Sequence, residues 1–514
     1  MPNDRYDVVI IGSGAGGGTM AHALASSGAR ILIVERGDFV PQEEDNWSPE
    51  AVWIDRRYQT TERWLNGDGE FAPYTHYCVG GNTKFWGSVL YRLRREDFQA
   101  IEHRGGLSPA WPIDYETLAP YYDRAEALYQ VRGDHRIDPT EPPRGPFPHP
   151  PVPHSKRIAQ IVGQLQQEGL TPSPLPLGLI RVREPGGCEL CDTCNSYPCK
   201  VHAKSDADIC CIRPITSPNV TLWTNAEALT IETDGSGRKV TAVSIRRHGE
   251  VTRIETSLLV VSCGAVNSAA LLLRSKSDAH PNGLANSSDL VGRRYMAHLT
   301  TMISAWHVRK NLADGDDQLF QKTVAINDFY LPGRFQYPLG HIQSQGRIHP
   351  AMIRGGAPRK YRVYVPVADA FRLLPEWTSR SVEWLAMSED LPDSSNTVTV
   401  EGGRIRLQYA PNNLESHARL VQELSAVLKR LDFKWVFPVS FATTNTTHQC
   451  GTICFGNDPR ASVLDPWCRT HDVENLFVVD ASFFPSSAAV NPGLTIVAQA
   501  LRVADHIREH DLKA

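Results

Sequence analysis

No run of about 18 apolar residues occurs in this chain of 514, so no segment has the character of a membrane-spanning helix. Charge of one sign is also missing. The 53 lysines and arginines nearly balance the 57 aspartates and glutamates, and the formal charge of −4 gives no electrostatic case for nucleic acid or an anionic membrane. A charged-then-apolar leader and a twin arginine are absent from the first residues, so the cytoplasm is the expected compartment. No internal repeat is visible. Hydrophobic residues at 41% and charged residues at 21% describe a globular protein, and the length calls for two or more structural domains.

What is present begins with a nucleotide-binding pattern. Residues 7–11 are a short apolar run rich in β-branched side chains, as in a strand covered on both faces. Gly12, Gly14 and Gly17 follow in GxGxxG spacing. Residues 15–27 carry small and apolar side chains at helical period, and 30–34 return as a second apolar strand ending in Glu35. Each residue type has a job in dinucleotide binding. Gly12 permits the tight turn, Gly14 presents no side chain to a pyrophosphate, and Gly17 lets the helix lie close to the strand. Free N–H groups at the helix start face the phosphates, and Glu35 can accept hydrogen bonds from a ribose diol.

Farther along, residues 38–69 are polar, show few periodic signals, and read as an excursion from the nucleotide domain. Within 77–92, glycines flank a polar and aromatic stretch. There Gly81, Asn82 and Thr83 suggest backbone brought close to a ligand, with a surface loop as the plainer alternative. Helices are expected over 115–129, 158–168, 413–431 and from about 493 to 510, and a proline-rich linker over 138–154. Residues 219–262 are β-rich, and the last strand runs through 263–265 into a helix over 267–274, repeating the N-terminal grammar. Residues 300–400 read as irregular to β-like, with alternation at 361–367 and 397–400. Of the 11 cysteines, Cys188, Cys191, Cys194, Cys199, Cys210 and Cys211 crowd into one short segment.

Six ordered stretches resemble the glucose–methanol–choline (GMC) family of flavin oxidoreductases. They are IGSGAGGG with ER at 35–36, GGNTKFWG at 80–87, CGAVNSAALLLRS at 263–275, LVGRRYMAH at 290–298, HQCGT at 448–452 and NLFVVDASFFPSSAAVNP at 475–492. The middle region, 300–440, matches least. The resemblance implies an α/β fold: a Rossmann-like, discontinuous FAD-binding domain (1–40, 205–299, 441–514, with the flavin-contacting loop 77–92). A sheet-based substrate domain (93–204, 300–440, with the cysteine-rich loop 188–211) completes it.

It also implies FAD as the nucleotide and an alcohol as the substrate. The histidine of the HxxGT motif is His448. Its partner position holds Asn491, so the chain resembles the pyranose-oxidase-like His/Asn subgroup. Oxidising an alcohol requires removal of the O–H proton and transfer of a hydride to flavin N5. Neutral imidazole is the usual base near neutral pH, and an amide can hold the substrate oxygen. Asp480 and Ala481 fall where such flavoproteins bind the ribityl chain and pyrophosphate. Pro492 opens the last helix near the flavin pyrimidine. His298 reads as a structural or supporting histidine. Lys84 stands where relatives with covalent FAD carry a histidine, so FAD is expected to be non-covalent.

The cysteine cluster leaves three readings open: an iron–sulfur site or a zinc site at Cys188, Cys191, Cys194 and Cys199, or thiols stiffening a loop. The expected substrate is a sugar or glycoside, with Tyr361, Trp377 and Trp384 as aromatic surfaces suited to one or as core. The expected acceptor is O2 or an external one, with an electron-transfer or small-subunit partner possible. The alternatives are a sterol or amino-sugar alcohol as substrate, or a non-catalytic FAD-fold redox sensor that uses the cysteines.

Overall fold

The computed structural model describes residues 5–307, 319–357 and 362–512. Its first sheet contains Val220–Trp223, Ile31–Val34, Arg5–Ile11, Glu250–Val261, Val240–Arg247 and Ala226–Thr233 in that order, and Leu476–Val478 pairs with the end of Glu250–Val261. The first four strands run parallel, while Ala226–Thr233 and Val240–Arg247 form an antiparallel extension. Val8, Val9, Ile10 and Ile31–Val34 are buried, as a strand covered on both faces requires. Helix Ala15–Leu24 lies against helix Gly493–His510, so the two ends of the chain pack together beside this sheet.

The second sheet is antiparallel, in the order Phe433–Ser440, Leu299–His307, Ser381–Ser388, His341–Gly346, Val324–Ile326 and Ser173–Pro174. Because side chains alternate along a strand, it has two faces. Ile303, Ala305, Ile342 and Trp384 join a core with Leu420, Leu424 and Leu428 of helix Leu414–Arg430 and with Ile158, Ile161 and Leu165 of helix Lys156–Gln167. Thr300, Met302, Ser304, Gln343 and Gln345 face the other way, into a cavity. Trp384 is therefore core and not a sugar platform, whereas Trp377 borders the cavity; Tyr361 lies outside the described residues.

A third sheet joins Cys450–Thr452, Arg293–Met296, Thr397–Glu401, Arg404–Gln408, Trp64–Asn66 and Gly69–Phe71. It draws part of the 38–69 excursion into regular structure. The same excursion supplies helix Pro49–Trp53, which packs on helix Pro350–Gly356. The β-like reading of 361–367 needs correction. Residue 361 lies outside the described residues, but helix Val365–Ala370 takes up the end of that stretch, and Pro366 occupies its first turn, where the missing N–H costs nothing; helix Leu373–Arg380 follows. Among the described residues no helix is long and apolar enough to cross a membrane.

Candidate functional site

The glycine turn holds its shape through backbone crowding. Gly12 has φ +97°, and a Cβ there would stand 2.2 Å from the Ser262 carbonyl oxygen. A Cβ on Gly17 would stand 2.0 Å from the Gly12 oxygen, and one on Gly16 2.1 Å from that of Val479. Gly14 differs: the nearest atom to its missing Cβ is 3.9 Å away, and its bare face opens onto the cavity. Helix Ala15–Leu24 starts there without a side-chain cap, leaving N–H groups for an anion. Glu35 is buried and largely occupied. Its carboxylate accepts from Ser13 N (3.1 Å), Ser13 Oγ (2.6 Å) and Gly37 N (3.0 Å). Burial raises its pKa against these bonds. Ser13 Oγ also accepts from Gly80 N at 3.1 Å, tying the glycine turn to the second loop; no sequence signal marked Ser13.

That second loop makes a single tight turn over Gly81–Lys84. Asn82 accepts from His76 N at 2.8 Å and borders the cavity together with Gly81 and Thr83. Thr83 Oγ donates to Gly80 O (2.5 Å) and accepts from Ala207 N (3.0 Å). Lys84 turns inward to Asp206 (3.1 Å) and Asp208 (3.0 Å). Burial alone would lower its pKa, but the two carboxylates outweigh that and raise it.

At the other end, His448 sits at φ +55°, a strained setting for a residue with a side chain. Its Nδ1 is 3.1 Å from His298 Nδ1, and His298 Nε2 is 3.0 Å from the Ser487 carbonyl oxygen. A carbonyl can only accept, so His298 carries its proton on Nε2 and, when neutral, offers a lone pair at Nδ1. His448 must then be protonated at Nδ1. Its Nε2 lone pair is left facing Asn491, whose Nδ2 lies at 3.3 Å. The Asn491 Oδ1 is buried without a partner. Burial, followed by the neighbouring His298, Lys322 and His341, holds the His448 pKa well below 6.5, so the ring is neutral at pH 7. His298 is thus more than a structural residue. It sits between strands Arg293–Met296 and Leu299–His307, of two different sheets, which sets its position.

Asp480 accepts from Ser482 N (2.9 Å), Ser482 Oγ (2.5 Å), Gly264 N (3.0 Å) and Ser268 Oγ (2.5 Å). It therefore fastens the 263–264 turn to the C-terminal segment while bordering the cavity, as Ala481 and Pro492 also do. A single cavity of about 1340 Å³ runs from Ser13, Gly14 and Glu35 past Asn82 to His448, Asn491 and the second sheet. Lys322 also borders it, in a region that carried no motif. Its ammonium donates to Asn195 Oδ1 at 2.5 Å, and burial pushes its pKa down to about 7. The pair fits only because residue 87 is glycine, since a Cβ there would stand 1.8 Å from Lys322 Nζ.

These features fit FAD. Gly14 and the uncapped helix start suit its pyrophosphate, and the cavity continues without a break to the histidine pair. The metal readings of the cysteine loop are corrected. Cys188, Cys191, Cys194 and Cys199 are free thiols bordering one small pocket, but among the described residues no group of three or more His, Cys, Asp or Glu is arranged to hold a metal ion. Burial pushes the Cys188 and Cys191 thiols up to about 12 and about 11, so both rest as neutral thiols. The loop is organised instead by Lys204, whose ammonium donates to the Cys194 (2.7 Å) and Tyr197 (2.6 Å) carbonyls.

Comparison with known proteins agrees with this geometry. The N-terminal GMC oxidoreductase model matches residues 6–300 and the C-terminal one 392–500. The chain is 31% identical to paromamine 6'-oxidase of Streptomyces fradiae, covering 98% of this chain and 91% of that protein. It is 30% identical to 6'''-hydroxyparomomycin C oxidase of Streptomyces lividus, covering 98% and 92%. The fructose dehydrogenase large subunit of Gluconobacter japonicus is 26% identical over 99% and 98%. Pyridoxine 4-oxidase from Mesorbium loti shares the fold at TM-score 0.67 and 18% identity, covering 98% of this chain and 99% of that one. With the glycine turn at one end of the cavity, the histidine pair at the other and family models spanning both, the chain belongs to the GMC oxidoreductase family.

Proposed function

We propose that this protein is an FAD-dependent oxidoreductase that oxidises a CH–OH group of a sugar or glycoside, with His448 as the base. The observation that carries this reading is His448 Nε2, which accepts from Asn491 Nδ2 at 3.3 Å, next to an Asn491 Oδ1 without a partner, with both residues lining one cavity. A substrate hydroxyl placed there gives its proton to Nε2, and the Asn491 amide holds the oxygen so that the carbinol C–H is aimed. FAD, when bound, supplies the two-electron acceptor that takes the hydride, and the substrate leaves as a carbonyl. Gly12, Gly14 and Gly17, with Ser13 and Glu35 behind them, hold the AMP half; Asn82, Ala481 and Pro492 border the flavin half. Lys84, locked between two aspartates, stands where relatives with covalent FAD carry a histidine and offers no imidazole for that attachment. Acid precipitation should therefore release the yellow colour into the supernatant.

The test is anaerobic flavin bleaching against sugars, glycosides and sterols, followed by admission of oxygen, which separates oxidase from dehydrogenase. Amino sugars belong in the same panel, because two relatives are aminoglycoside oxidases by name. General-base catalysis is worth about 10²–10⁴ in rate, so His448→Ala should keep flavin and lose that much. Undiminished flavin reduction in this variant would refute the assignment.

A further inference from the structure

Beyond the histidine pair the cavity wall changes character. Close to His448 and Asn491 it carries hydrogen-bonding side chains: Thr300, Gln343, Gln345 and the Lys322–Asn195 pair. Farther out, beyond the level of Ser304, it is bordered by Ile353, Leu373, Leu374, Trp377 and Phe437. Leu373 and Phe437 remain 55% and 50% exposed, so the described residues do not cover this shelf. The shelf is nonetheless held in place. Trp377 Nε1 donates to Ser304 Oγ at 2.9 Å, and its ring meets that of Phe437 edge-on at 5.1 Å. Charge points the same way. Four carboxylates border the cavity among the described residues, and Glu35, Glu227 and Asp480 stand with the nucleotide-end residues. The fourth, Asp192, is engaged with His349 (3.5 Å) and Arg347 (3.9 Å). The substrate end therefore offers a cationic ligand an ammonium and no free carboxylate.

We propose that the substrate is an uncharged amphiphilic glycoside. Its sugar hydroxyl would lie at His448 and Asn491, and its apolar aglycone would cover Ile353, Leu374, Trp377 and Phe437. This rests on the alcohol-oxidation reading of the histidine pair and adds the half of the substrate that the pair does not touch.

The experiment uses the FAD-loaded enzyme with n-alkyl glycosides of glucose, galactose and mannose, from methyl to octyl, below their micelle concentrations. Flavin reduction is followed anaerobically. KM should fall by up to about fourfold per added methylene, with the limiting rate unchanged, because the chain binds equally in ground and transition states. Leu373→Ser and Phe437→Ser, both at partly exposed positions, should flatten that dependence. Bleaching by methyl glycosides with no dependence on chain length would overturn this proposal alone. So would reduction by free sugars but not by alkyl glycosides, or a lower KM for paromamine than for the octyl glycosides. Absence of bleaching by any alcohol would overturn the reading beneath it as well.

Discussion

Replacing His298 by leucine removes the acceptor that holds the Nδ1 proton of His448. The volume is roughly kept, so the perturbation falls on the hydrogen bond at 3.1 Å and on the tautomer it selects. Leaving a buried donor without its partner costs about 1–3 kcal/mol. If that cost falls wholly on the reactive arrangement, the limiting rate of flavin reduction drops about 5- to 150-fold. The assay is anaerobic stopped-flow reduction at a series of substrate concentrations, with flavin content measured on the same sample. A positioning role predicts a lower limiting rate with flavin content and apparent substrate affinity preserved. A merely structural role lowers flavin content and melting temperature together. His298→Gln, which can present an amide oxygen to Nδ1–H, should recover part of the loss. A leucine variant within twofold of the parent, with full flavin, would refute the tautomer argument.

Gly14→Ala should fold but lose FAD, because the added Cβ meets no protein atom closer than 3.9 Å and projects into the cavity. Gly16→Ala, with its Cβ 2.1 Å from a carbonyl oxygen, should fail to fold, as soluble yield and circular dichroism would show. Lys84→Met leaves Asp206 in the interior without its cation, while Asp208 keeps Arg213 at 3.0 Å, and should cost about 3–5 kcal/mol, read by urea unfolding; an unchanged midpoint would contradict the buried pairing. The limiting rate of flavin reduction should be flat through neutral pH and fall only on the acid side of 6.5, since protonation removes the His448 lone pair. Burial pushes His76, His341 and His417 down to about 4, against 6.5 for the free ring. Above 6.5 folded and unfolded chains both leave them neutral. As pH falls from 6.5 towards 4 the unfolded chain takes up protons these rings refuse in the fold, so their contribution is lost, while Asp97, Glu383 and Asp390, pushed up to about 7 by burial, gain theirs over the same window; the melting temperature should therefore change little there, and a steep loss would contradict the balance.

The parts of this protein legible in its sequence are those written over short distances. Gly12, Gly14 and Gly17 crowd against or open away from their surroundings because of spacing within one strand–turn–helix unit, and that spacing is visible in a line of text. His448 and Asn491 could be singled out because each lies in a motif. The role of His298 could not be read this way: it depends on partners 150 and 189 positions away, brought together where two sheets meet and where Ser487 turns its carbonyl inward. Alternation over 361–367 suggested strand where Val365–Ala370 is helical, because so short a run has no decisive period, and Trp384 stayed open between sugar surface and core because strand alternation shows two faces without saying which is covered. The cysteines suggested a metal by their spacing, yet a buried lysine organises that loop. Local covalent order settled that a dinucleotide turn exists. Only the packing of sheet against sheet decided which imidazole nitrogen of His448 faces Asn491 and the cavity.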